Sequence, residues 1–246
     1  MTAAQRLRLT AAFAVAGITF GTAACSSSSS TATSGGALSY DRVRSTALDL
    51  SRNGSSTCPF GLDFAKAAAG AGITGAVTPA VTDGRSVTGN TGDGVPAQPW
   101  PSGASHPPTM TEMPAIPPNA GITCSYTVGA STVDVELLAV PKNDQGISMM
   151  LPAIARAGLL GVDQLSRFSA DRPAVGQTRL TPAGGRAAVA RIALHGDGDL
   201  VLVLDQNTTG GQAAQDPALA GEPLRKAAEA LAGQLKGQSA GPRTSR

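Results

Sequence analysis

Aromatic residues are scarce in this chain: they make up 3% of its 246 residues, whereas glycine and proline occur 30 and 17 times. A core with so few rings has to be built from Ala, Val, Leu and Ile, and the glycines and prolines favour irregular segments. A surplus of one charge is also lacking. The chain has 19 basic and 17 acidic residues, and two of the basic ones, Arg6 and Arg8, lie near its start. Without a basic surplus, we expect no nucleic-acid partner.

Motifs for catalysis or metal binding are equally rare. The chain has two histidines, His106 and His195, and neither a Gly-x-Ser-x-Gly motif nor a glycine-rich phosphate loop. His195 precedes Asp197 and Asp199, which could form a base with its orienting acid or a set of calcium ligands. The segment lacks the rest of a calcium loop, and its Gly-Asp pairs suit a tight hairpin turn. We expect no catalytic residue, metal or cofactor, and a hydrolase using His195 is the most distant hypothesis.

The first 24 residues have the features of a secretory signal peptide. Two arginines precede an apolar run at residues 9–20, which is too short to span a bilayer as a permanent helix. Residues 21–25 read Gly-Thr-Ala-Ala-Cys and resemble the lipobox of bacterial lipoproteins. This resemblance implies cleavage after residue 24 and a diacylglyceryl group on Cys25, which would anchor the chain in membrane lipid. The alternative is ordinary secretory cleavage, which would leave Cys25 as a free thiol.

The cysteine count favours lipidation. The chain has three cysteines, and an oxidising compartment would leave one of them unpaired unless Cys25 is modified. Residues 25–38 are rich in serine, threonine and glycine, the composition of a flexible tether. No further run of about 20 apolar residues follows. We therefore expect a lipid-anchored protein on the extracytoplasmic face of the cell membrane.

The other two cysteines, Cys58 and Cys124, lie far apart in the sequence. Zinc sites use cysteines about two to four positions apart with histidines nearby, and this spacing does not fit them. A disulfide is the default for such a pair outside the cell. A redox-active thiol pair is the alternative, although no C-x-x-C spacing supports it.

Hydrophobic periodicity predicts the elements of the fold. Alternating apolar residues on both sides of Gly129 indicate a β-hairpin, and a second hairpin follows near the C-terminus. Pro152 favours a start of the third helix near Leu151, and residues 162–173 suggest a polar connector. Helices are predicted at 40–51, 60–69, 146–160 and 217–235, and strands at 77–81, 122–128, 132–140, 175–180, 187–194 and 200–205.

These elements predict one α+β domain over residues 39–236. Its antiparallel sheet of about five strands in two hairpins would pack against three or four helices, with a single disulfide. Residues 83–121 are rich in proline and have no apolar period, so we expect a long exposed insertion there. Trp100 within it would pack the insertion against the domain or contact a ligand as part of a lid. Residues 237–246 are predicted to be a disordered tail.

Three sets of residues resemble a family of actinobacterial cell-envelope lipoproteins: Cys25, Cys58-Pro59-Phe60 and Cys124-Ser125-Tyr126. The order of helix, hairpin, helix, hairpin and closing helix over about residues 40–236 agrees, apart from the insertion. The resemblance implies an α+β domain outside the membrane, with a helix-start cysteine bonded to a strand cysteine and no known catalytic activity.

Two hypotheses for function remain. The first is a non-enzymatic binding or sensor-like module of the cell envelope, with unknown ligand-binding residues. The second is a tethered accessory protein that docks on another envelope protein without a small ligand. An enclosed apolar pocket would favour the first hypothesis, and a filled core with an exposed apolar patch would favour the second.

Overall fold

The computed structural model describes residues 37–182, 184–207 and 216–239. The predicted signal peptide, Cys25, nearly all of the predicted tether and residues 240–246 lie outside these ranges. Within them, no helix combines the length and the apolar character needed to cross a membrane.

An antiparallel sheet of seven strands forms the centre of the structure, as the predicted α+β class requires. Strands β1 and β2 pair with the same edge of β5, and β6, β9, β8 and β7 follow in that order. Strands β3 and β4 form a separate two-stranded ribbon. The strands are β1 (Val77–Pro79), β2 (Val87–Gly92), β3 (Gln98–Pro99), β4 (Glu112–Met113), β5 (Asn119–Val128), β6 (Ser131–Val140), β7 (Thr178–Leu180), β8 (Ala187–Ala193) and β9 (Asp199–Gln206).

Helices cover both faces of the sheet. Helices α1, α2 and α5 pack on one face, while α3 and α4 pack on the other. The described helices are α1 (Tyr40–Asn53), α2 (Phe64–Gly70), α3 (Gly146–Gly158), α4 (Val162–Ala170) and α5 (Glu222–Ser239). Strand β9 shows the layering most directly, because Leu200, Leu202 and Leu204 face the first core while Val201 and Val203 face the second. The prediction that this apolar run is covered on both faces is confirmed.

Helix α1 follows directly from its sequence. Ser39 precedes it, and its hydroxyl accepts a hydrogen bond from the backbone N–H of Arg42 at 3.4 Å. This bond satisfies one of the free donors of the first turn. Val43, Ala47 and Leu50, spaced as one helical face, are buried.

The predicted disulfide is confirmed: Cys58 and Cys124 are bonded, with their Cα atoms 5.8 Å apart. The expectation that Cys58 lies at a helix start is wrong. Phe60 has a positive φ of 59°, which a helix does not allow, and α2 begins later, at Phe64. Asp63 caps it by accepting a hydrogen bond from the backbone N–H of Lys66.

The segment predicted as an insertion is partly sheet. Residues 87–92 form β2 and pair with β5, which itself begins at Asn119. The sequence of β2, Val-Thr-Gly-Asn-Thr-Gly, has little β-propensity, so its pairing partner and not its own pattern places it in the sheet. The part outside the main sheet is residues 93–118, which we call the arm.

The predicted start of α3 at residue 146 is confirmed; the helix continues through Pro152, so the alternative start near Leu151 is wrong. The predicted polar connector contains a helix that was not predicted, α4, whose Phe168 is buried. The last helix begins at Glu222, after a short 3-10 turn and a break where Gly221 has a φ of 64°. It runs on to Ser239, so the first residues of the predicted disordered tail are helical.

Candidate functional site

Strand β9 carries an aspartate at each end, and both lie on the face that α3 covers. Asp199, Val201, Val203 and Asp205 occupy alternate positions and so share this face. Helix α3 lies along them, with Gly146 beside Asp199 and Arg156 near Asp205. The surroundings of the two aspartates differ in charge, and this difference defines the candidate site.

At the first end, a buried ion network surrounds Asp199. Its carboxylate accepts a hydrogen bond from Nε of Arg191 at 3.1 Å and another from the backbone N–H of Gly146 at 3.0 Å. Arg191 also donates to Asp144 at 2.8 Å and to the carbonyl of Pro173. The bond from Gly146 to Asp199 satisfies a backbone N–H at the start of α3, where Gln145, the N-cap residue, makes no side-chain capping bond. Asp199 therefore caps α3 from another element.

At the second end lies the carboxyl cluster, which consists of Asp134, Glu136 and Asp205. Asp134 on β6 stands directly opposite Asp205 on β9, and Glu136 is the next residue on the same face of β6. Asp134 and Asp205 are each 6% exposed. Like charges at directly opposed positions repel, and burial strengthens the repulsion. The three groups therefore resist being ionised together.

Few positively charged side chains lie near the carboxyl cluster. Among the described residues, no Lys, Arg or His forms an ion pair with any of its three carboxyls. Arg156 attracts them from a distance, but its own side chain is exposed. The C-terminal end of α3 also lies here, and the partial negative charge of a helix C-terminus disfavours carboxylates.

The surroundings shift the pKa of all three carboxyls upward. Burial raises the pKa of Asp205 to about 8, and the nearby carboxyls of Glu136 and Asp134 add to the effect. Burial also raises the pKa of Asp134, and burial followed by the charge of Asp134 raises the pKa of Glu136. A carboxyl that titrates near neutral pH is unusual outside functional sites.

One buried oxygen of the cluster has no hydrogen-bond donor among the residues that the structure describes. Asn207 donates to Oδ2 of Asp134 at 2.6 Å, whereas no described residue donates to the buried Oδ1. The hydroxyl of Ser125, which lies opposite on β5, lowers the pKa of Asp134 against the larger effect of burial. A buried acceptor without a donor is costly, and such groups in proteins usually have a functional explanation.

A small cleft exposes the cluster to solvent. Its volume is about 50 Å³, room for a few water molecules, and it is lined by all three carboxyls together with Arg156, Ala157, Gln206 and Asn207. The carboxyls do not converge as metal ligands would: in the described part of the chain, no three His, Cys, Asp or Glu side chains are placed to hold a metal ion. The arrangement suits a proton or a small cationic group.

The residues around His195 are not brought together for catalysis. Both glycines of this turn have positive φ, 82° for Gly196 and 132° for Gly198, as the predicted turn requires. His195 is exposed and donates its backbone N–H to Leu38. Asp199 is occupied by Arg191 and Gly146, so it does not orient the imidazole. The interpretation of Asp199 as a turn residue missed its buried role.

The arm places Trp100 and His106 side by side. Their rings stack with centroids 5.1 Å apart, and Nε1 of Trp100 donates to the carbonyl of Met110. Val95 and Ile116 exchange backbone hydrogen bonds at the base of the arm, where an open groove of about 300 Å³ separates it from residues 141–145. Trp100 thus packs within the arm and not against the sheet.

In the described part of the chain, apolar side chains pack against both faces of the central strands, at the place where the first hypothesis for function expects a ligand pocket. The carboxyl cluster was missed by sequence reasoning. Asp134 and Glu136 alternate with apolar residues on β6, a pattern typical of a strand with one face in water. The apolar run of β9, which ends just before Asp205, indicated that helices cover both faces of the sheet and therefore that acidic residues of the neighbouring strand are buried.

No model of a known family, no characterised protein and no solved structure matches this chain.

Proposed function

We propose that this chain is an actinobacterial-type cell-envelope lipoprotein, held on the extracytoplasmic face of the cell membrane by a diacylglyceryl group on Cys25. Its domain would be a non-enzymatic, sensor-like binding module in which the carboxyl cluster takes up a proton or a cationic group of an envelope ligand. The lipobox-like residues 21–25 support the anchor, and the disulfide agrees with an oxidising compartment. The directly opposed Asp134 and Asp205, with a buried oxygen of Asp134 that accepts no hydrogen bond from the described residues, support the sensor proposal.

Helix α3 is the element that would respond. Its first turn is fixed by Asp199, whereas Pro152 removes one hydrogen bond in its middle. The half that follows Pro152 ends at the carboxyl cluster. Loss of the proton places negative charge beside the helix C-terminus, which weakens the packing of this half. External acidity or a cationic ligand would restore it.

Hydrogen exchange tests this response. In the parent protein, amides of residues 153–158 should have protection factors about tenfold lower at pH 9 than at pH 6, because ionisation of the cluster loosens their packing. Asp205→Asn should remove most of the difference. Asp197→Asn, in the exposed turn, is the matched control and should retain it. Equal protection at both pH values in the parent protein would contradict the sensor proposal.

The anchor is tested separately by mass analysis of the N-terminus of the protein purified from its own membrane. We expect a mature chain that begins at Cys25 and carries two acyl chains on its glyceryl group. An unmodified Cys25 would remove the anchor from the proposal and leave the response of the carboxyl cluster to be judged alone.

A tethered accessory role is the second candidate, and one surface favours it. Leu159 and Val162, at the corner between α3 and α4, are 56% and 81% exposed. They follow the half of α3 that ends at the carboxyl cluster, so a protein docked there would be affected by its protonation. A photo-crosslinking residue at position 162 should then capture one protein in stoichiometric yield from the native membrane.

A further inference from the structure

Leu38, the last residue of the predicted tether, and the base of the arm lie at the same end of the sheet. The arm connects the last residue of β2, Gly92, to the first residue of β5, Asn119. At this end β6 also finishes and β9 begins, since Val140 pairs with Asp199. We call it the tether end, because Leu38 lies there: the backbone N–H of His195, in the turn between β8 and β9, donates to the carbonyl of Leu38 at 2.8 Å.

A single side chain links the start of α1 to the base of the arm. Arg44 donates to the carbonyl of Gly92 at 3.2 Å and to the carboxylate of Asp93 at 2.5 Å. It also lies within 3.5 Å of the hydroxyl of Tyr40, the first residue of α1. The point where the N-terminal segment enters the domain is therefore beside the base of the arm.

The arm has the composition of a segment that enters a lipid interface. Residues 94–111 contain no Asp, Glu, Lys or Arg. Met110, Val95 and Ile116 are apolar, and their side chains are 45%, 42% and 50% exposed. The frequent prolines reduce the number of backbone N–H groups that would lose water. Tryptophan is the residue most typical of the headgroup region.

Covalent geometry sets an upper limit on the distance between Cys25 and the tether end. The residues from Cys25 to Leu38 span at most about 45 Å when fully extended, whatever their conformation. Each leg of the arm, about eight residues, reaches about 25 Å in the same way. Because the arm begins where the N-terminal segment enters, it can reach a bilayer that holds Cys25.

We propose that the arm is a second membrane contact, whose uncharged tip around Trp100 and Met110 lies in the headgroup region of the bilayer to which Cys25 is attached. This inference rests on the proposed anchor. The contact would orient the domain, with the tether end toward the lipid and the carboxyl cluster, at the opposite end of α3, toward the exterior.

Trp100 is the single tryptophan of the chain, so its fluorescence reports on the arm alone. The full mature chain can be coupled through the Cys25 thiol to a maleimide phospholipid in vesicles of phosphatidylglycerol and phosphatidylcholine. Coupling is selective because Cys58 and Cys124 are bonded. With brominated phosphatidylcholine in the vesicles, Trp100 fluorescence should fall about twofold and shift to shorter wavelength, as expected at an interface.

Met110→Asp should displace the arm, because burying a methionine side chain is worth about a tenfold change in the equilibrium between the bound and the free arm. Ala130→Asp, in the exposed turn between β5 and β6 at the opposite end of the sheet, is the control and should leave the quenching unchanged. Unquenched Trp100 in the parent protein would overturn the proposal. A spectral shift that appears only in native membranes, with their proteins present, would overturn it in favour of a protein partner. Chemical coupling makes this result independent of native acylation, which the mass analysis tests.

Discussion

The two ends of α3 contact two aspartates of one strand, and the protein treats these aspartates in opposite ways. Asp199 is paired with Arg191 and bonded to the helix N-terminus, where negative charge is favourable. Asp205 faces two further carboxyls at the helix C-terminus, where negative charge is unfavourable. The comparison teaches that burial alone does not define a functional carboxyl; the lack of a compensating charge does. The first end fixes the helix, and we propose that the second leaves its last turn able to respond to protonation.

The largest expected loss of stability comes from breaking the buried ion pair between Arg191 and Asp199. Arg191→Met leaves the carboxylate of Asp199 buried without its cation, and removing one partner of a buried pair costs about 3–5 kcal/mol of unfolding free energy. Urea unfolding at pH 7 measures the loss. The control is Arg179→Met, which breaks the exposed pair with Asp171 and should cost less than about 1 kcal/mol. Equal losses in the two variants would show that Asp199 does not depend on Arg191.

Removing the charge of Asp205, at the other end of the strand, should raise the free energy of unfolding. The folded-state pKa of Asp205 is raised to about 8, so the folded protein holds a proton that the unfolded chain has released. The contribution of Asp205 to the free energy of unfolding is therefore fully present below the pKa that this residue has in the unfolded chain. It is lost as the pH rises toward 8, and the free energy of unfolding falls by up to about 1.4 kcal/mol per pH unit. Asp205→Asn should flatten this slope and stabilise the protein at pH 8 by about 2 kcal/mol. Denaturant unfolding at pH 5 and pH 8 measures both quantities. A variant that is less stable than the parent at pH 8 would mean that the Asp205 carboxylate is favourable there.

The smallest effect should come from Arg156. Its charge lowers the pKa of Asp205 and of Glu136, against the larger effect of burial. Arg156→Gln removes this attraction, so the pKa of both carboxyls should rise further and stability at pH 8 should fall by less than about 1 kcal/mol, since the side chain is exposed. An NMR titration of the two carboxyls detects the shift. A downward shift would exclude Arg156 as the attracting charge.

The parts of the fold that the sequence predicted were those with local signals. Each of these signals is contained in a short stretch of sequence: the Ser39 cap, the hairpin around Gly129 and the apolar run of β9. The disulfide could be inferred because only two cysteines remained once Cys25 was assigned.

The missed features depend on partners distant in sequence. Strand β2 is held by its pairing with β5, and the carboxyl cluster exists because the register of β6 and β9 puts Asp134 opposite Asp205. Asp199 resembled a turn residue until Arg191 and Gly146 were seen beside it. Periodicity identifies a face of a strand, but it does not say what covers that face.

The most direct test of the difference between the two ends is an NMR titration of the Asp205 side-chain carboxyl carbon in the intact mature chain. We expect a midpoint near 8, with a second inflection in the same curve when its neighbours Asp134 and Glu136 ionise. A midpoint near 4, the ordinary value for an aspartate, would show that Asp205 is ionised at neutral pH and would contradict the proposal that it takes up the sensed proton.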